Sequence, residues 1–150
     1  MRPTLAVRGI AARIAARIAV AAVAILFTAC AMLAHPPADV DYSRTRRSVG
    51  GVYVGTIEPQ GDTIPRGKLH GWTLHLETAG GAPVDSASIA VDGGMPQHGH
   101  GLPTRPRARR LGGGSYAVEG MKFNMGGWWV VKFRVISGAG SDSLVFDLKL

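Results

Sequence analysis

The sequence predicts an all-β protein, an immunoglobulin-like antiparallel β-sandwich of about seven strands. After residue 50 the chain consists of short runs in which apolar and polar residues alternate, the period of a strand with one buried face. Clusters of glycine, proline and small polar residues separate these runs at short intervals, as turns do in sandwiches. After residue 35 no segment of useful length has the apolar spacing of a helix.

Each predicted strand offers one apolar face to a core. The first is the β-branched run at 52–57, and the clearest alternation lies in 69–77. There His70 and Trp72 share one face of the strand, and His75 lies on the other face. His70 and His75 therefore cannot both bind one metal ion. The remaining predicted strands are 86–92, 107–111, 115–119 leading on to 121–123, 129–135 and 144–150.

Residues 1–34 are of a different kind. They carry four arginines and no acidic residue, and they end in seventeen uncharged residues, 18–34. A basic start followed by an apolar core is typical of an export signal, and this length is also at the lower limit for a membrane-spanning helix. We therefore expect an N-terminal apolar signal or anchor helix and a periplasmic or cell-envelope protein that is tethered to the membrane. Cleavage near Cys30, lipidation at Cys30 and retention as an anchor all remain open.

Residues 35–50 are polar, contain two prolines and lack periodicity, which predicts a linker before a domain at 51–150. The whole chain has 17 basic and 10 acidic residues, so without the four N-terminal arginines its net charge falls from +7 to +3. The basic character is therefore largely a property of the targeting segment, and we expect no nucleic-acid partner. The arginine-rich run at 105–110 is interpreted as a strand edge protected by charge.

The predicted domain lacks the motifs of common enzymes. Cys30 is the only cysteine, so residues 51–150 contain no disulfide, thiolate metal site or cysteine nucleophile. The glycine runs end β-segments, as turn residues do, and the acidic residues stand singly beside turns. We therefore expect a protein without enzymatic activity.

The segment 93–101 is the strongest candidate for a functional site. It brings Met95, His98 and His100 together between glycines and a proline, which predict a loop rather than a helix or a regular strand. Histidines two residues apart place both imidazoles on one side of an extended segment, and thioether with imidazole suits copper. Met125, in a second loop, could supply a fourth donor from the same end. Alternatively, the histidines donate to backbone carbonyls and the methionines fill the end of the core.

The chain resembles the YtkA-like domain family over about residues 66–150, and more distantly the periplasmic part of FixH-type proteins. The resemblance rests on three ordered motifs: Gly-Met-Pro-Gln-His-Gly-His-Gly at 94–101, Tyr-Ala-Val-Glu-Gly at 116–120 and Met-Gly-Gly-Trp at 125–128. It implies a small exported β-sandwich. FixH-type relatives are linked to copper supply for haem-copper oxidase assembly, which implies a metal role for Met95, His98, His100 and Met125.

The sequence thus predicts an exported, membrane-tethered accessory or carrier protein that binds or transfers copper, with a protein of the envelope as its partner. The rival hypothesis is a structural or protein-interaction domain of the cell envelope that holds no metal.

Overall fold

The structure, a computed structural model, describes residues 36–150. This part of the chain contains nine β-strands. The predicted signal or anchor helix at 1–34 lies outside these residues. The strands are β1 (Thr45–Arg47), β2 (Tyr53–Pro59), β3 (His70–Thr78), β4 (Ala87–Met95), β5 (His100–Gly101), β6 (Arg107–Gly112), β7 (Ser115–Met121), β8 (Trp128–Ser137) and β9 (Gly140–Lys149).

The helical content of residues 36–150 is one turn of 3₁₀-helix at Pro96–His98. None of the helical structure in this range is long and apolar enough to span a bilayer.

All neighbouring strands pair antiparallel in one sheet, in the order β1-β2-β3-β7-β6-β4-β8-β9, with β5 added beside β4. Most neighbours share a long ladder, but β6 and β4 meet only at the pair Ala90 and Arg107. The turn after β1 reaches β9 through a hydrogen bond from the Val49 amide to the Ser143 carbonyl, 2.9 Å long. The sheet is therefore nearly closed and barrel-like, and the predicted all-β antiparallel class is confirmed.

Two short strands, β1 and β5, have no counterpart in the sequence prediction. Strand β1 lies inside the segment 35–50 that the sequence predicted to be a linker, and it pairs with β2. Just after it, Ser48 is buried and its hydroxyl accepts a hydrogen bond from the Tyr53 amide at 2.8 Å. Three polar residues are too few to show the period of a strand, so only the pairing reveals β1.

The buried faces of the long strands follow the alternation in the sequence. In β3 the side chains of Trp72, Leu74 and Leu76 are fully buried, and the intervening residues are not. Strands β8 and β9 bury alternate residues in the same way. Their contribution to the core is Trp129, Val131, Phe133, Val135, Leu144, Phe146 and Leu148.

A carboxylate holds the turn between β1 and β2 against β9, and we call it the Asp142 latch. The Asp142 carboxylate accepts hydrogen bonds from the backbone amides of Gly50 at 2.9 Å, Val52 at 3.2 Å and Ser143 at 2.7 Å. The Ser48 side chain, followed by these amides, lowers the pKa of Asp142 from 3.8 to about 2, because each donor favours the charged form. The latch thus satisfies several donors of an otherwise irregular turn.

Candidate metal centre

Strand β4 runs further than the sequence predicted and delivers Met95 to one end of the sheet. The expectation of a loop from residue 93 is wrong for its first three residues, because β4 continues through Gly93 and Gly94 to Met95. The two glycines belong to the strand because neighbouring backbones leave no room for a side chain. A Cβ on Gly93 would lie 2.5 Å from the Val130 carbonyl oxygen, and one on Gly94 would collide with the His100 carbonyl oxygen.

After Met95 the chain makes a 3₁₀ turn and returns as β5, so Met95 and His100 become partners in neighbouring strands. Partners in an antiparallel pair project their side chains from the same face, with Cβ atoms about 5 Å apart. Strand pairing therefore directs the side chains of Met95 and His100 to the same face of the sheet.

The two imidazoles lie close together, although the segment between them is not extended. Gly99 has a left-handed conformation, with φ of 62°, and closes the 3₁₀ turn between His98 and His100. The ring centroids are 5.9 Å apart and the rings are inclined by only 22°, so the imidazoles are stacked. The predicted proximity of the histidines is thus present, but a turn produces it in place of the regular alternation of a strand.

A cleft of about 480 Å³ brings three of the four predicted ligands to one place. Its walls include Met95, His100 and Met125, together with Trp129 and the backbone of neighbouring loop residues. The Met95 side chain is only 1% exposed, whereas Met125 is 42% exposed. His98 does not line this cleft; it is exposed and stacks on His100.

The loop that carries Met125 packs directly against Met95. The indole N–H of Trp129 donates to the Met125 carbonyl at 3.1 Å, which ties this loop to the start of β8. A Cβ on Gly127, where φ is 126°, would lie 2.8 Å from the terminal methyl carbon of Met95 and 2.6 Å from the Gln97 side-chain nitrogen. The absence of a side chain at residue 127 therefore allows the two methionine-bearing segments to meet.

The ring nitrogens of His98 and His100 form no hydrogen bond with any residue in the range 36–150 that the structure describes. The histidines of β3 differ. His70 has its Nδ1 3.2 Å from the Lys68 carbonyl oxygen, and His75 has its Nδ1 3.0 Å from the Ser115 hydroxyl and its Nε2 3.3 Å from a Glu58 carboxylate oxygen. Within the described residues, the lone pairs of His98 and His100 are not occupied by main-chain contacts.

The donor set consists of thioethers and imidazoles. Among residues 36–150 there is no group of three or more His, Cys, Asp or Glu side chains arranged to hold a metal ion. Any metal at the cleft would therefore depend on Met95 and Met125 as well as on the histidines. Thioether sulfur selects soft cations such as Cu(I), and imidazole accepts copper in either oxidation state.

Sequence reasoning missed the part that Trp129 plays in the cleft. The alternation in β8 correctly predicted that Trp129 faces inward and belongs to the core. Its second role is a hydrogen bond that positions the neighbouring loop, because the indole N–H donates to the carbonyl of Met125 four residues earlier. The first residue of β8, Trp128, is half-buried and donates its indole N–H to the Asp147 carboxylate at 2.7 Å.

Comparison with known proteins gives a single kind of match. Searches of curated proteins and of solved structures found no similar protein. The family model described as YtkA-like matches residues 61–134, a range that contains the cleft residues from Met95 to Trp129. Residues 61–134 of this chain are therefore similar to the YtkA-like domain family.

Proposed function

We propose that this protein is an exported, membrane-tethered accessory or carrier protein that binds or transfers copper through Met95, His98, His100 and Met125. The observation that supports the proposal best is the shared cleft, which Met95, His100 and Met125 all line. His98 stacks on His100 and adds a second imidazole beside it.

The proposed ligands suit a carrier because they are neutral and because they differ in their exposure to solvent. Neutral thioether and imidazole ligands match a univalent copper ion without placing an uncompensated carboxylate in the site. Met95 is buried, whereas His98, His100 and Met125 are accessible to solvent. An acceptor protein in the envelope could therefore replace the exposed ligands one at a time while Met95 still holds the ion. This route transfers the ion without turnover of any substrate.

The proposed location rests on the N-terminal sequence. Residues 1–34 combine a basic start with seventeen uncharged residues, the arrangement of an export signal or of a membrane anchor. The chain after Pro36 is a compact unit of its own. Membrane tethering through residues 1–34 would place that unit at the envelope surface, together with the proposed acceptor protein.

We also propose that the sheet is best grouped as an immunoglobulin-like sandwich. Strands β1, β2, β3, β7 and β6 form one continuous group, and β5, β4, β8 and β9 form another. The strand ladder between the groups is reduced to the single pair of Ala90 and Arg107, and on the other side the turn after β1 contacts β9 through turn hydrogen bonds, which supports division of the sheet at these points.

The rival function is a structural or protein-interaction domain of the envelope without a metal. It is favoured by exposed apolar side chains at the opposite end of the strands from Met95, namely Val49, Leu111 and Ile136. Exposed apolar residues of this kind are used in protein–protein contacts when they form a patch.

Copper titration distinguishes the two functions. The purified full-length chain is titrated with Cu(I) under anaerobic conditions, and separately with Cu(II), in competition with a chelator of known affinity. We expect one ion per chain with a Kd of about 1 μM or tighter, and a weakening of at least about 100-fold in the double variant His98→Ala/His100→Ala.

The matched control is His75→Ala, which removes an imidazole that contacts Ser115 and Glu58 on the sheet. It should leave the copper affinity unchanged. Weak copper binding that is the same in the wild type, the double variant and the control would instead support the metal-free interaction domain.

A further inference from the structure

We infer that Trp129 is the residue that makes this cleft select Cu(I) over Cu(II). The inference rests on the proposed copper function and specifies the oxidation state of the cargo. It assigns Trp129 two contributions: an aromatic wall beside the ion, and a hydrogen bond that positions one of the ligands.

The geometry around Trp129 fixes its ring beside the donors. Its side chain is only 2% exposed, and it lines the cleft together with Met95, His100 and Met125. The ring packs edge to face on Phe123, with centroids 5.0 Å apart and planes inclined by 72°. The indole N–H is held by the Met125 carbonyl at 3.1 Å. With contacts on two sides, the ring cannot easily turn away when an ion enters.

An indole wall favours a soft univalent ion. A cation close to an aromatic face is attracted by the ring quadrupole, and tryptophan is the best side chain for this interaction. Cu(I) is satisfied by a few soft ligands, so one side of the ion can lie against a ring. Cu(II) prefers a tetragonal set of nitrogen and oxygen ligands, and an indole face supplies no lone pair for such a set.

The hydrogen bond to Met125 is a separate contribution. Met125 is exposed and lies in a glycine-rich loop, so its thioether has few packing contacts of its own to position it. The bond from the Trp129 indole fixes the backbone of Met125 four residues earlier. Phenylalanine retains an aromatic face but lacks this donor, and leucine lacks both. The two substitutions therefore separate the wall from the positioning effect.

Trp128 provides a matched control. It is adjacent in β8, but its indole N–H donates to Asp147 and it does not line the cleft. Trp128→Phe removes an indole and its N–H hydrogen bond, here to a carboxylate, without changing the walls of the proposed site.

The test measures Cu(I) and Cu(II) affinities of the full-length chain by chelator competition for the wild type, Trp129→Phe, Trp129→Leu and Trp128→Phe. We expect Trp129→Phe to weaken Cu(I) binding about tenfold and Trp129→Leu more, with Cu(II) affinity changed by less than about threefold in both. Trp128→Phe should leave both affinities unchanged. A purely structural role of Trp129 would weaken the two ions equally and would overturn the inference.

A spectroscopic measurement keeps the inference testable if the Trp129 variants unfold. In Trp128→Phe the remaining indoles are Trp129, which lines the cleft, and Trp72, which does not, so one equivalent of Cu(I) should change the near-ultraviolet absorbance and emission through Trp129. Tight Cu(I) binding with no indole perturbation would reject the role of Trp129 and leave the copper function intact. Failure of the wild type to bind either ion would reject the copper function itself.

Discussion

The polar side chains at the two ends of the sheet differ in their hydrogen bonding. At the end where β1 turns into β2, the Asp142 carboxylate accepts hydrogen bonds from three backbone amides. At the other end, the rings of His98 and His100 have no hydrogen-bond partner among residues 36–150, although they stack on each other and His100 lines a cleft with two methionines.

The comparison separates residues that stabilise the fold from residues that are available for a ligand. A charged group whose acceptor sites are filled holds a turn in place and has little capacity left for anything else. Imidazoles without partners contribute little to stability, so their close approach calls for an explanation other than folding. Substitutions at the two ends should therefore have different consequences, and three of them test the comparison in order of decreasing effect.

Gly94→Ala should have the largest effect, because it disrupts the packing of β5 against β4 at the end of the sheet that carries the proposed ligands. The added Cβ would collide with the His100 carbonyl, and backbone cannot move aside as a flexible side chain can. We expect a loss of about 3 kcal/mol in the free energy of unfolding, measured in urea, together with weaker copper binding.

Its control is Gly101→Ala, in the residue paired with Gly94. The nearest atom to a Cβ at residue 101 is 3.7 Å away, so this variant should unfold like the wild type. Equal stability of Gly94→Ala and Gly101→Ala would show that β5 does not press against β4 as described.

Asp142→Asn should destabilise the latch end alone. One acceptor oxygen is replaced by an amide group that cannot accept from a backbone N–H, and the charge is lost. We expect a loss of about 2 kcal/mol in the free energy of unfolding and no change in copper affinity. Asp147→Asn, on the same strand, affects only the contact with Trp128 and should cost less.

The same latch predicts a dependence on acid. The pKa of Asp142 is about 2 in the folded protein, below its ordinary value of 3.8, so its contribution is complete above the ordinary value and is lost as the pH falls towards 2. Between pH 4 and pH 2 the urea midpoint of the wild type should therefore fall further than that of Asp142→Asn. Parallel curves for the two proteins would contradict the assignment of the latch.

Met125→Leu should have the smallest effect, and it should change the copper affinity but not the stability. Leucine matches methionine in volume but has no sulfur, and Met125 is exposed, so the stability should be unchanged. We expect Cu(I) affinity to fall about tenfold, equivalent to about 1.4 kcal/mol.

Met121→Leu is the control for this substitution, because Met121 is buried in the core and does not line the cleft. It should leave the Cu(I) affinity unchanged. If both leucine variants bind Cu(I) like the wild type, Met125 is not a ligand, and the ion would have to be held by Met95 and the two histidines.

Much of the fold could be predicted from the sequence because each long strand has one solvent-exposed face and one buried face. The alternation around Trp72 and Trp129 identified the buried side of β3 and β8, and the glycine clusters marked the turns. Strands β1 and β5 escaped prediction, since segments of three and two residues have too few positions to show a period. Gly93 and Gly94 were misread as a loop, because glycine also occurs where another backbone comes too close for a side chain.

By itself, the sequence determined the class of fold, the family motifs and the identity of the donor atoms, because strand period and side-chain chemistry are local properties of the chain. Which donors share a cleft was decided only by the tertiary structure. The pairing of Met95 with His100, the stacking of His98 on His100, and the tie between Trp129 and Met125 all depend on how strands and loops come together in space. No local pattern specifies those distances, because they are set by the packing of segments that are far apart in the chain.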